Sequence, residues 1–341
     1  FIIPHLFPVS LAAAVITGVM SFIQMEVPGL TGYAVYPEEF LSRIILEDSP
    51  GVILWCAVPY SIAAGTALLV FTLAWPRHTD MSWRSLSPDL PDKLSEPFRH
   101  EKIIGLLAVS VMALPLFLII KTSGISGFPD FWSANAQAVQ TSLSYGLLSV
   151  MIAMITACLL TDWLMELSPA WRNIFMGIFM LQLLIPGALT GLGMKSLARF
   201  PLMLWLDTGD ILMIISHSLR IIPYAVFLLY ALRRMNESLV QDNIRLMNIS
   251  WFGKKRFLHF PADRAGLLVI SGILFVLLLS ELSSTILVVS PGTETVILRL
   301  YNMLHYGANN TVAKLALLQS ALVTAIMLIL WLFIRRRADR D

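Results

Sequence analysis

Two fully charged side chains, Arg220 and Glu281, lie inside long apolar stretches of the sequence. Glu281 is closely followed by three hydroxyl side chains, those of Ser283, Ser284 and Thr285. A charge in the middle of a membrane span costs roughly 2.5–3.5 kcal/mol on insertion scales, so such a group should face protein or water. The pattern therefore predicts either a polar path through the protein or a network of hydrogen bonds between helices.

The partner of Arg220 is open at this point. It could pair with Glu281, or it could share a separate polar face with His217, which precedes it by three residues on the same predicted helix. Gln182 and Pro186, in the segment LQLLIPG, are the other polar or helix-breaking candidates within a span. We group them with the segment around Glu281 as a candidate path or gate, with a purely structural network as the alternative.

Motifs for catalysis or metal binding are missing from the sequence. No GxxxxGK[ST] loop is present, so ATP hydrolysis by the usual phosphate-binding loop is not expected. The six His residues form no HExxH pattern, and Cys56 and Cys158 both fall in apolar stretches. We therefore predict that this chain is not an enzyme and holds no cofactor or metal of its own.

Composition indicates a membrane protein. Hydrophobic residues make up 57% of the 341 residues and charged residues only 13%, against about 25% charged in an ordinary soluble domain. The mean hydropathy is +0.75. An all-α polytopic protein with about eight transmembrane helices is expected. The predicted spans are 6–25, 51–75, 103–120, 139–161, 174–194, 211–232, 265–290 and 315–334.

The basic residues predict the orientation of these spans. Most Lys and Arg residues fall on alternate connections, at 76–102, 162–173, 233–264 and 335–341. The positive-inside rule places these connections in the cytoplasm. A net charge of +2 without basic runs on a soluble face gives no reason to expect a nucleic-acid partner.

The order of features predicts an internal duplication. Shifting the sequence by about 257 residues sets Pro4 beside Pro261 and Gln24 beside Glu281, and duplicated halves are common in transporters. We interpret residues 1–75 as the end of a first half whose N-terminal part is missing. Residues 76–102 then form a cytoplasmic linker, and residues 103–341 form a complete second half with six spans.

The cytoplasmic connection 233–264 carries the most specific pattern. It is predicted to form a short amphipathic helix, a turn and a basic second piece. Its candidate residues are Asp242, Asn243, Ile244, Arg245, Asn248, Ser250 and Pro261. This segment resembles the EAA loop of type I ABC transporter permeases, the inner-membrane components of binding-protein-dependent transport systems. Asp242 matches the family's Glu, Asn248 its Gly, and Pro261 the proline of its Leu-Pro pair.

The segments HSLRIIPY at 217–224 and SELSSTILVVSPGTETVILRLYNMLHYG at 280–307 resemble the flanking helices of fused, two-half permeases for ferric iron and related small ions. The resemblance covers nearly the whole chain. It departs from the family where Asn243 and Ile244 replace two alanines and Phe260 precedes the proline.

The resemblance implies partners and a location. The EAA-like loop would dock on a dimer of separate ABC ATPase subunits, which use the ATP, and an external solute-binding protein would deliver the cargo. The chain would lie in a bacterial inner membrane as a multi-pass protein. The basic run at 254–256 would either dock with the ATPase or bind anionic lipid headgroups. Ferric iron or a similar inorganic ion is the expected solute. Phosphonate, sulfate, molybdate and thiamine permeases, and an ion-coupled secondary transporter, are the alternatives.

Overall fold

The regular structure of this protein is helical wherever it is described. The computed structural model describes, apart from a few single residues, 35–46, 49–78, 113–124, 127–207, 210–246, 260–304 and 309–338. All regular elements within these ranges are helices, which confirms the predicted all-α class. The predicted span 6–25, the linker 76–102, the first part of the span 103–120 and the N-terminal copy of the internal repeat lie wholly or mostly outside the described residues.

The helices are numbered in chain order. They are α1 (Tyr36–Ile45), α2 (Pro50–His78), α3 (Ala113–Ser123), α4 (Phe128–Glu166), α5 (Pro169–Leu183), α6 (Gly187–Ala198), α7 (Ile211–Leu246), α8 (Phe260–Leu279), α9 (Thr285–Val288), α10 (Val296–Leu304) and α11 (Asn310–Ala338), with a 3₁₀ helix at Pro201–Asp207 between α6 and α7.

Three of the described helices, α4, α7 and α11, are long and apolar enough to cross a membrane. A fourth span is obtained if α5 and α6 are counted as one broken crossing. Helix α2 covers the predicted span 51–75, although part of its side chains lie outside the described residues. The described part of the chain thus establishes a membrane protein with three to four candidate spans, and the total of eight stays a prediction.

The span predicted over 174–194 is not one continuous helix. Helix α5 begins at Pro169, where the fixed φ of proline suits a first turn, and ends at Leu183. Helix α6 starts again at Gly187 and is bent by 98° from α5. The break coincides with Pro186, which has no backbone N–H to donate and disfavours helical geometry in the residue before it.

The predicted helix over 265–290 is also interrupted. Helix α8 starts at Phe260 and ends at Leu279, and the chain then makes turns before the four-residue helix α9. No proline marks this break, and the turn contains Ser280, Glu281 and Ser283, whose side chains can hydrogen-bond to nearby backbone. Two interrupted helices therefore lie in the second half of the chain.

Helix α7 is longer than predicted. It runs without interruption for 36 residues from Ile211 to Leu246, with Pro223 inside it. The short amphipathic helix predicted within 233–264 therefore does not begin as a new helix, because its residues up to Leu246 are the end of α7. At 1.5 Å per residue the helix is about 54 Å long, well beyond the roughly 30 Å of a hydrocarbon core.

Helices α4 and α7 run side by side in the same direction. Tyr145, near the middle of α4, donates a hydrogen bond to Asp210, which directly precedes α7. One turn further along α4, Ser149 Oγ donates to the Ile214 carbonyl at 3.1 Å, and Ser218 Oγ donates to the Ser149 carbonyl at 3.2 Å. Side-chain hydrogen bonds across close-packed helices of this kind are a common stabilising feature of membrane bundles.

Helix α8 returns antiparallel to this pair, and α11 in turn runs antiparallel to α8. A Cβ on Gly266 of α8 would touch Leu232 near the end of α7, and one on Gly272 would touch Leu330 of α11. At the other end of α8, Gln319 Nε2 donates to the Leu279 carbonyl at 2.6 Å. The C-terminal ends of α4, α7 and α11 therefore share one end of the bundle, which we call the basic end.

The basic end gathers the segments that the charge pattern placed in the cytoplasm. The ends of α4, α7 and α11 lead into the connections 162–173, 233–264 and 335–341. Exposed Trp163 and Trp171 lie there, and exposed Trp132 lies at the start of α4, about 46 Å away along the helix. This separation matches the roughly 40–45 Å between the two interfaces of a bilayer, where tryptophan is enriched.

Candidate functional site

One side chain on α7 joins both helix breaks. Arg220 Nη1 donates a hydrogen bond to the Ile185 carbonyl at 2.5 Å, in the break between α5 and α6. Its Nε lies 3.7 Å from Glu281 Oε2, in the break between α8 and α9. The two side chains are 12% and 15% exposed, so the ion pair is largely shielded from solvent. The pairing that the sequence left open is therefore present.

Glu281 also satisfies the backbone of its own break. Its Oε1 accepts hydrogen bonds from the backbone N–H and the hydroxyl of Ser284, both at 3.1 Å. Its carbonyl accepts from Thr285 Oγ1 at 2.6 Å. Irregular backbone at membrane depth must find such partners inside the protein, because lipid offers none. Glu281 thus accepts the hydrogen bonds that stabilise this turn, and its charge faces Arg220.

His217 makes a second contact between α7 and the interrupted segment. Its Nε2 lies 2.9 Å from Thr285 Oγ1, and both residues are buried. The single hydroxyl proton of Thr285 already goes to the Glu281 carbonyl, so Nε2 of His217 must donate here. His217 and Arg220 therefore do not form a separate polar face, since both reach the same segment.

Gln182 supports the break between α5 and α6. Its Nε2 donates to the Leu219 carbonyl of α7 at 2.9 Å, and Pro186 precedes the first residue of α6. The two candidates from the segment LQLLIPG thus lie beside the Arg220 contact, as the sequence grouping predicted. Ser283 is buried in the break between α8 and α9, and its Cβ would be 2.8 Å from a Cβ on Gly187.

Two glycines allow α6 to approach the second break closely. A Cβ on Gly187 would lie 2.6 Å from Glu281 Oε1, and a Cβ on Gly191 would lie 3.1 Å from the Ser284 carbonyl oxygen. The spacing GALTG is a GxxxG pattern, which permits close backbone approach between membrane helices. These glycines were not among the residues selected from the sequence, although their GxxxG spacing could have predicted a close helix contact.

A small cavity adjoins Glu281 and His217. It has about 10 Å³ of room, enough for about one water molecule. Glu281 alone among its lining residues carries a full charge. The lining residues are Ser142, Tyr145, Gly146, Met213, His217, Leu278, Leu279, Glu281, Thr295 and Ile297.

Two acidic residues that the sequence analysis missed tie α4 to α7. Asp210 accepts hydrogen bonds from Tyr145 and, at 2.9 Å, from Thr293 Oγ1. At the basic end, Asp162 forms an ion pair with Arg233, whose Nη1 also lies 3.4 Å from the Cys158 carbonyl. Both acids lie at the borders of predicted spans, where a charge needs no special explanation, so neither stood out in the sequence as a candidate.

The candidate coupling residues are only partly within the described chain. Asp242, Asn243, Ile244 and Arg245 lie in the last two turns of α7, where the backbone but not the side chains is described. Asn248 and Ser250 lie outside the described residues. Pro261 is the second residue of α8, a position that favours proline. The docking role of this segment therefore stays a prediction.

Comparison with known proteins adds no relative. No protein-family model matches the chain, and no curated protein matches its sequence. In the described part of the chain, no group of His, Cys, Asp or Glu side chains is arranged to hold a metal ion. The site is thus a set of buried hydrogen bonds and one ion pair at the meeting point of two helix breaks.

Proposed function

We propose that this chain is the membrane subunit of an ABC importer with the type I permease fold, which moves a small solute on energy from a separate ATPase. The observation that carries the proposal is the continuity of α7. This one helix holds Arg220, which joins both helix breaks, and ends in Asp242–Leu246, the start of the EAA-like segment. The two positions are about 33 Å apart along the helix axis.

The geometry supports transport because interrupted helices are frequent at solute sites. Non-helical backbone within a membrane bundle is tolerated where it is buried in protein or lines a cavity, and transporters use such breaks near the middle of the membrane. Here both breaks meet at Glu281, which also lines the small cavity. In this proposal Gln182, Pro186, Ser283, Ser284 and Thr285 border the path with Glu281.

The proposed assembly follows the resemblance. A dimer of ATPase subunits contacts the basic end of the bundle through residues 242–250, and an external binding protein delivers the solute at the opposite end. The chain has eight spans in two halves and lies in a bacterial inner membrane. Ferric iron or a similar inorganic ion is the proposed solute. Phosphonate, sulfate, molybdate and thiamine are the alternatives within this class.

The proposal is tested by cysteine crosslinking in membranes. Ser250→Cys in the full-length protein, with Cys56 and Cys158 replaced by alanine, is expected to crosslink to the candidate ATPase subunit in a nucleotide-dependent manner. Ser196→Cys is the matched control, because it is exposed on α6 toward the opposite end of the bundle. Equal crosslinking at both positions, or transport that persists after deletion of the ATPase, would contradict the proposal.

A second candidate function is an ion-coupled secondary transporter. The small cavity favours a secondary transporter, because Glu281 and His217 both line the cavity and both can bind a proton. Uptake into vesicles distinguishes the two functions. An ionophore that collapses the ion gradients should stop a secondary transporter, whereas removal of ATP should stop the proposed importer.

A further inference from the structure

We propose that the second half of the chain consists of two bodies, a rigid frame and a gate that moves as one unit. The frame is formed by α4, α7 and α8. The gate is formed by α6, the 3₁₀ helix Pro201–Asp207 and α9. This inference rests on the proposed function in one respect, namely that movement of the gate opens the solute path.

Within the frame, directional contacts join α4 to α7 over the stretch from Tyr145 to Asp162 of α4. Tyr145 and Asp210 make the contact at one end of this stretch, and Asp162 and Arg233 make the contact at the other. Between these ends, Ser218 Oγ donates to the Ser149 carbonyl. Small buried residues such as Ala153 and Ala157 let α4 pack closely against its neighbours. A sliding motion of α4 against α7 would break contacts at three levels at once.

The gate is held together by close contact of its two short helices. Gly187 and Gly191 place α6 directly against the segment 281–287, with no space for a methyl group at Gly187. Met194, Ala198, Leu206 and Val288 continue the contact as one buried apolar cluster. Because α6 and α9 interlock in this way, neither can swing away without the other.

The contacts between gate and frame are of two kinds. The gate rests on Leu212 and Met213 of α7 through apolar packing, which is non-directional and tolerates sliding. Directional contacts lie at the two breaks, where Arg220 binds the Ile185 carbonyl and faces Glu281. Gln182 adds a hydrogen bond to the Leu219 carbonyl at the first break, and His217 adds one to Thr285 at the second. Because Arg220 contacts both breaks, its removal is expected to weaken both together.

Distance measurements test the two-body division without any transport assay. Spin labels at Leu147→Cys on α4 and Lys195→Cys on α6 report the distance from frame to gate, and labels at Leu147→Cys and Leu228→Cys report a distance within the frame. All three positions are exposed, and the native cysteines are replaced by alanine. Arg220→Met is expected to shift or broaden the first distance distribution and to leave the second unchanged.

An unchanged frame-to-gate distance in Arg220→Met, or an equal change in both distances, would overturn the proposal, because it would mean that the two bodies do not exist. Should Arg220→Met fail to accumulate, Glu281→Gln replaces it, because the amide oxygen can still accept from Ser284 while the charge opposite Arg220 is gone.

Crosslinking then links the motion to function. Gly191→Cys with Leu287→Cys lies within the gate, where the two Cβ atoms would be 3.1 Å apart. Met194→Cys with Met213→Cys joins gate to frame within one apolar cluster. After oxidation to the disulfide, the first pair is expected to keep transport near the untreated rate, and the second to lose most of it. The four single-cysteine variants are the controls.

The two proposals fail in different ways. Transport by the wild type, with equal loss in both crosslinked pairs or in neither, would overturn the two-body inference and leave the importer intact. No ATP-dependent transport by the wild type, with the spin-label distances as expected, would overturn the importer and leave the two bodies standing.

Discussion

At the scale of single residues, Arg220 carries more contacts than its sequence position indicates. The sequence identified Arg220 and Glu281 as costly charges within apolar stretches but left their pairing open. The two side chains pair because α8 ends shortly before Glu281, and the segment SELSST contains no proline from which this helix end could be predicted. The short-range hydrogen bonds of Ser284 and Thr285 to Glu281 were, by contrast, within reach of sequence reasoning, because they span only three or four residues.

Removing Arg220 or Glu281 singly should be costlier than removing both. Breaking a buried ion pair leaves an uncompensated charge and typically costs about 3–5 kcal/mol, whereas replacing both partners with apolar groups costs less. We expect Arg220→Met and Glu281→Met each to lower the unfolding temperature of the purified protein more than the double variant does. Additive losses in this double-mutant cycle would show that the pair contributes no coupling.

The glycines of α6 give a prediction with an internal control. Gly187→Ala should destabilise the protein by about 1–3 kcal/mol through overpacking against Glu281 and Ser283. Gly193→Ala in the same helix has open space around its added methyl group and should be neutral or stabilising by up to about 1 kcal/mol. Thermal unfolding of both variants in the same detergent checks this. Equal effects at the two positions would contradict the close contact.

At the scale of elements, prolines illustrate what periodicity cannot decide. Three prolines fall in apolar stretches, namely Pro59, Pro186 and Pro223. Of these three, only Pro186 coincides with a helix break. A proline costs a helix about 3 kcal/mol, which tertiary packing can offset. Helix α7 keeps Pro223 because residues on both sides of it, such as Ile222 and Ala225, are buried in the bundle.

The length of α7 predicts how its two ends communicate. Ser238→Pro should break the helix between Arg233 and Asp242 while leaving the contacts of Arg220 in place. We expect this variant to insert and to crosslink to the ATPase through Ser250→Cys, but to transport at a much reduced rate. Ser238→Ala is the control and should transport normally. Full transport by Ser238→Pro would mean that α7 need not be continuous to carry the signal.

At the scale of the whole molecule, the charge distribution and the bundle agree. The connections rich in Lys and Arg were assigned to one side of the membrane from sequence alone, and the directions of α4, α7, α8 and α11 bring them to one end. This agreement was predictable because span direction simply alternates along the chain. The 98° bend was not, since hydropathy counts apolar residues and is blind to the angle between successive segments.

Sidedness can be checked with two matched variants. Ser168→Cys lies at the basic end, in the turn between α4 and α5, and Ser196→Cys lies on α6 toward the opposite end; both positions are exposed. A membrane-impermeant maleimide added to intact spheroplasts should label Ser196→Cys alone, and both should react after the membrane is opened. Labelling of Ser168→Cys in sealed spheroplasts would reverse the orientation.

The parallel pairing of α4 and α7 also has a consequence for biosynthesis. Neighbouring helices that run in the same direction cannot be consecutive spans, so α4 must leave the ribosome and wait while the intervening chain is made. Asp162 and Arg233 are 71 residues apart. At bacterial and eukaryotic elongation rates of about 5–20 residues per second, Asp162 stays without Arg233 for roughly 4–14 s. During that interval the carboxylate of Asp162 lacks this ion-pair partner and must be solvated by water, lipid headgroups or the insertion machinery.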